Sequence, residues 1–94
     1  MTIFLNELES IIKQRKLNPS EESYTSRLFQ SGLDRILKKI TEEAGEVVIA
    51  AKNDDNQELK EESADLLFHL LVTLQEKNIS LADVCSVLEK RHRG

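Results

Sequence analysis

A chain of 94 residues that is 39% hydrophobic and 32% charged, with one proline and three glycines, has the composition of one small soluble domain spanning residues 1–94, and excludes a turn-rich β fold. Its net charge of −4 argues against broad nucleic-acid binding, which relies on basic surface, and leaves room for a polyanionic small ligand held through a metal. No apolar run approaches the roughly 20 residues of a membrane helix, and Glu7 and Glu9 interrupt the start where a signal peptide would be continuous, so no membrane partner and a cytoplasmic setting are expected. A domain this size buries only about two thirds of its unfolded surface, which favours an oligomer. Cys85, beside Val84 and near Val87, reads as a small buried apolar residue.

From Thr2 to Leu17, the spacing of Phe4, Leu5, Leu8, Ile11 and Ile12 predicts an amphipathic helix that ends before the turn signal Asn18-Pro19-Ser20. Ser23-Tyr24-Thr25 opens a short helix or turn, and Gly32 lets the chain change direction. A long helix follows from about Leu33 to Lys52, with Ser31 and Asp34 as its capping pair. Gly45 inside it has two explanations: close helix packing, or room for a ligand between Glu43 and Glu46. Asp55 with Glu58 caps a helix from about Asn56 to Lys77 that is apolar nearly all round, so Ala64, Phe68, Leu71 and Val72 are expected against another subunit. Ser80 with Asp83 caps a last helix whose stripe of Leu81, Val84, Val87 and Leu88 reads as buried. The fold class is all-α, with a central antiparallel hairpin that makes a four-helix core on dimerisation.

The chemistry concentrates on the two long helices. Glu43 and Glu46 stand three residues apart on the first, and Glu62 and Asp65 repeat that step on the second. Three residues turn a helix by about 300°, so each pair shares one face, one turn apart. Both pairs border an apolar arc. If those arcs face each other across Asn53-Asp54-Asp55-Asn56, all four acids meet at one rim. Any two unit charges about 6 Å apart repel by about 3 kcal/mol at an effective dielectric near 20, so such a rim calls for a cation. Carboxylates without paired Cys or His suit Mg²⁺, or Mn²⁺, better than zinc. A solvated acidic face is the alternative, and the residues alone leave both open.

Around the acids, His69 follows Asp65 by one turn and either orients a ligand carboxylate or is a hydrogen-bonded interface histidine. Lys39 lies on the acid stripe and is placed to reach a phosphate; Arg35, Lys38 and Lys52 are weaker candidates, and Tyr24 and Thr25 are candidates for base or ribose contact. Glu89 and His92 have the spacing of a di-iron motif, but a single copy at a helix end is set aside.

The run Ser23-Tyr24-Thr25 with Leu28 and Gly32, then Arg35 through Asn53, then Glu62 through Val72, closely resembles the phosphoribosyl-ATP pyrophosphatase family, within the all-α MazG-like nucleoside-triphosphate pyrophosphohydrolases. Glu43, Glu46, Glu62 and Asp65 stand at that superfamily's Glu-x-x-Glu and Glu-x-x-Asp positions, and Glu22 replaces a glycine often found before the Ser-Tyr-Thr element. The resemblance implies a homodimer of the stand-alone type that uses Mg²⁺ to hydrolyse the α–β phosphoanhydride of phosphoribosyl-ATP, the second step of histidine biosynthesis. Where the residue reading and the resemblance meet, Glu43, Glu46, Glu62 and Asp65 are expected to hold the metal, with Glu43 and Glu46 catalytic and Glu46 the candidate base. A house-cleaning pyrophosphohydrolase, a non-enzymatic helical dimerisation module and an acidic regulatory subunit remain the alternatives.

Overall fold

The breaks expected from the sequence separate five helices in the computed structural model, which describes residues 2–93 and side chains from residue 4 onward: α1 (Thr2–Leu17), α2 (Tyr24–Ser31), α3 (Leu33–Lys52), α4 (Asn56–Glu76) and α5 (Leu81–Arg93). No strand occurs among the described residues. The caps explain most of the boundaries. Ser23 Oγ accepts the Ser26 N–H at 3.2 Å, and Asp55 Oδ1 accepts the Glu58 N–H at 3.1 Å. Ser80 and Asp83 form a reciprocal capping box, each backbone N–H donating to the other's side chain at 3.0 Å. Asp54 at φ 55° and Asn78 at φ 59° turn the chain after α3 and α4 in the left-handed region that Asp and Asn tolerate best among non-glycine residues.

One boundary differs from the sequence reading. Ser31 does not cap α3; its hydroxyl donates to Leu28 O at 2.6 Å, inside the last turn of α2. The reversal falls on Gly32 at φ 96°, which serves as N-cap of α3 without a side-chain bond. A non-glycine residue would be strained there.

Helices α3 and α4 form the central hairpin, and α1 and α2 pack across it. Ile12 of α1, Leu28 of α2, Ile36 of α3, and Leu71 and Val72 of α4 are the buried core, with Leu5, Leu8, Phe29, Phe68 and Leu81 packed around it. Polar ties align the layers. Buried Ser26 donates to Arg15 O at 2.8 Å, and Lys16 Nζ reaches Glu76 Oε1 at 3.0 Å and Gln75 O at 3.2 Å. Glu9 Oε2 accepts the Leu81 N–H at 2.7 Å, which pins the start of α5 to α1. Among the described residues no helix is long and apolar enough to cross a membrane.

Two expectations about burial are corrected. Leu71 and Val72 are buried inside this chain and Phe68 packs on the same core, because α1 and α2 cover that side of α4. Ala64 is exposed as expected, and the large apolar residues left open on the hairpin are Leu37, Val48 and Ile49 on α3, and Leu67 and Leu70 on α4. On α5, burial ends after Val84: Val87, Leu88 and Cys85 are exposed, since only the first turns of that helix meet the body.

Ile36, fully buried where α2, α3 and α4 converge, anchors this packing. Ile36→Ala is expected to destabilise the fold by about 2–4 kcal/mol, read as a lower denaturation midpoint with an unchanged urea m-value.

Candidate active site

The hairpin brings the paired acids together. Glu43 of α3 and Glu62 and Asp65 of α4 each offer one carboxylate oxygen within 4.8 Å of the others, and Glu46, Glu58 and Glu62 form a second such group. Glu62 belongs to both, so the four acids read from the spacing gather at one rim. Glu58 joins them without having been singled out as a ligand. Its position one turn before Glu62, on the same face, was the available signal, masked by its place in the capping signature of α4. Burial is graded across the rim: Glu43 is only 8% exposed, Glu62 is half-buried, and Asp65, Glu46 and Glu58 face solvent. A ligand approaching from the open side meets the last three first.

The inner carboxylates carry the electrostatic tension. Glu62 Oε2 is buried with no hydrogen-bond partner, an arrangement that folded proteins rarely retain without a ligand. Desolvation, followed by a hydrogen bond with Glu43 and the charges of Glu43, Asp65 and Glu58, pushes the Glu62 carboxyl up from 4.5 to about 7. An all-oxygen donor set with an unpartnered inner oxygen fits a hard divalent cation.

Behind Glu43 stands His69, buried and fixed from both ring nitrogens. Nδ1 lies 2.8 Å from Asp65 O and 3.3 Å from Glu43 Oε1, while Nε2 lies 3.1 Å from the Tyr24 hydroxyl. A carbonyl can only accept, so Nδ1 carries the proton and, in the neutral ring, the Tyr24 O–H donates to Nε2. The edge of Phe68 meets the ring at 5.1 Å between centroids. His69 thus stands against a site carboxylate and is itself held by hydrogen bonds within one chain.

The basic candidates divide. Lys39, half-buried one turn before Glu43, lies 3.8 Å from Glu42 on the flank of the acids. Arg35 and Tyr24 line a hollow of about 210 Å³ with Arg27, Leu28 and Ser31, and Thr25 is half-buried beside Tyr24 in α2. Lys38 and Lys52 are not brought to the rim: helical geometry turns them about 140° and 180° away from Glu43. A Cβ at Gly45 would meet nothing within 4 Å, so no helix of this chain packs closely there. A larger hollow of about 430 Å³, between α1 and the α4–α5 turn, contains none of these residues.

The raised Glu62 carboxyl gives the metal-free protein a defined pH response. Glu62 holds its proton more tightly folded than unfolded, so its contribution to stability is complete below about pH 4.5 and is lost as pH rises through about 7. The melting temperature of metal-free protein is expected to fall between about pH 5 and pH 8, and Glu62→Gln to flatten that fall. A divalent cation held by the same carboxylate would compete with the proton, so added Mg²⁺ should raise the melting temperature more at the alkaline end.

Residues 5–92 match the family Phosphoribosyl-ATP pyrophosphohydrolase. The chain is similar to the phosphoribosyl-ATP pyrophosphatase of Leptospira biflexa serovar Patoc, at 57% identity over 95% of this chain and 97% of that protein. It is likewise similar to the phosphoribosyl-ATP pyrophosphatase of Listeria monocytogenes serovar 1/2a, at 61% identity over 93% of this chain and 84% of that one. A further relative, the histidine biosynthesis bifunctional protein HisIE of Bacillus subtilis strain 168, is 57% identical over 94% of this chain, which spans only 42% of it. With two long helices converging their acids as described, and a match that takes in every residue of the rim, this chain belongs to the phosphoribosyl-ATP pyrophosphohydrolase family.

Proposed function

We propose that this chain hydrolyses the α–β phosphoanhydride of phosphoribosyl-ATP to phosphoribosyl-AMP and pyrophosphate, the second step of L-histidine biosynthesis, with Mg²⁺ as cofactor and Mn²⁺ as a substitute. The observation that carries this reading is the convergence of Glu43, Glu62 and Asp65, with Glu46 and Glu58 beside them, around an inner oxygen of Glu62 that has no partner. Membership of the family and the names of its relatives supply the substrate.

Glu43, Glu46, Glu62 and Asp65 would hold the cation, with Glu58 completing the second carboxylate group. Bound there, it would supply neutralisation of the phosphate oxygens and acidification of a water. The protein's own groups do the rest. His69, fixed by Tyr24, keeps the Glu43 carboxylate from rotating away. Glu46, on the solvent side of the rim, accepts the proton from the attacking water. Lys39 offers its ammonium to the triphosphate from one turn away.

The active unit in this reading is a homodimer. Leu37 and Val48 of α3, with Leu67 and Leu70 of α4, leave one face of the hairpin apolar and open, with Val48 61% exposed, and a second hairpin laid on it would complete a four-helix core.

Glu43→Gln and Asp65→Asn should each lower Mg²⁺-dependent pyrophosphate release from phosphoribosyl-ATP at least about 10²-fold while the helical circular dichroism is kept. Near-normal turnover in both would remove the site, and equal turnover of ordinary nucleoside triphosphates would favour a house-cleaning enzyme. Leu67→Glu should convert a dimer to monomer in sedimentation equilibrium; an unchanged mass would rule out this face.

A further inference from the structure

We infer that the hollow between α2 and α3, walled by Tyr24, Arg27, Leu28, Ser31 and Arg35, seats the second phosphate of the substrate, the monoester on its phosphoribosyl group, and that Arg27 and Arg35 grip it. This rests on the hydrolase reading above and deepens it. The carboxylate rim, through its cation, serves the triphosphate. It offers nothing to a further phosphate remote from the anhydride, and that phosphate is what separates phosphoribosyl-ATP from an ordinary nucleoside triphosphate.

The donors in the hollow suit a phosphate monoester. Arg27 spends one nitrogen on Glu21 O at 2.6 Å, which fixes its fork and leaves other N–H groups to donate. Among the described residues, neither guanidinium has a carboxylate within 4.0 Å, although the chain as a whole is acidic. Two arginines from neighbouring helices, neither neutralised, make a bidentate anion site in a way that lysines do not. At about 210 Å³ the hollow is smaller than the 300–1,000 Å³ usual for a whole ligand, which suits one sugar phosphate as part of a larger molecule.

The hollow also has the right place. Tyr24 belongs to its wall and donates to His69, which contacts Glu43, so the two sites share a side chain. Arg35 precedes Glu43 by eight residues on α3, an axial rise of about 12 Å, a span that a base with a ribose on either side can bridge when folded back. Lys39 stands midway along that path. A substrate lying along α3 presents its anhydride to the acids and its phosphoribosyl phosphate to the arginines.

The test is steady-state kinetics on the full chain with Arg35→Gln, chosen because Arg35 has no structural ion pair, and with Arg27→Gln checked by melting temperature. Each should raise KM for phosphoribosyl-ATP about tenfold or more with kcat held within about threefold, and Arg35→Lys should restore only part of the loss. Ribose 5-phosphate, titrated by NMR, should bind the wild type, compete with substrate and bind at least about tenfold more weakly to Arg35→Gln. An unchanged KM in Arg35→Gln, a loss confined to kcat, or ribose 5-phosphate binding that survives the substitution overturns the assignment. Equal affinity for inorganic phosphate overturns the sugar-phosphate specificity. If the wild type releases no pyrophosphate from phosphoribosyl-ATP the hydrolase reading fails, and the ribose 5-phosphate titration still decides the hollow by itself.

Discussion

Burying Glu43 beside Glu62 is the constraint around which this small fold is arranged. Two carboxylates taken from water into mutual contact repel and lose solvation, which pushes the Glu62 carboxyl toward its protonated form. A divalent cation held by these carboxylates would relieve that repulsion and would supply the charge the proton otherwise provides. The hairpin of α3 and α4 carries that tension because each helix is long, capped and held by core residues on its other faces.

The surroundings keep the strained pair in register. His69 is buried against Phe68 and bonded at both nitrogens, so the carboxylate it faces has a rigid neighbour. Tyr24 joins this arrangement to α2 and to the arginine-lined hollow, making the short helix a part of the site as well as a cover for the core. The core itself is small. Among the described residues, five side chains from four helices form its buried centre, and apolar side chains of the hairpin stay open.

Much of this was legible in the residues because the signals were local. Turn and capping residues mark the ends of α3 and α4: Gly32 and Asn53 bracket one, Asp55 opens the other, and the Ser80–Asp83 pair opens α5. The three-residue spacing of the acids carried through to a shared rim because helical geometry is regular enough to be projected. What was not legible depended on which element covers which face. Periodicity showed that α4 is apolar on two sides, but not that α1 and α2, in place of a second subunit, cover Leu71 and Val72. The stripe on α5 had helical spacing without a neighbour to bury it, so Val87, Leu88 and Cys85 remain exposed. Ser31 resembled a cap by its spacing to Asp34, but its hydroxyl is spent on Leu28 O in the last turn of α2, one residue before the reversal at Gly32. Arg27 gave no signal, since its place beside Arg35 depends on how α2 packs on α3.

The central claim is that the inner carboxylates of the hairpin are a cation site, and anomalous scattering from crystals grown with Mn²⁺ tests it most directly. The account predicts a manganese peak within coordination distance of Glu43, Glu62 and Asp65. A fully loaded crystal with no peak at that rim, or with manganese held only by carboxylates elsewhere on the chain, would contradict it.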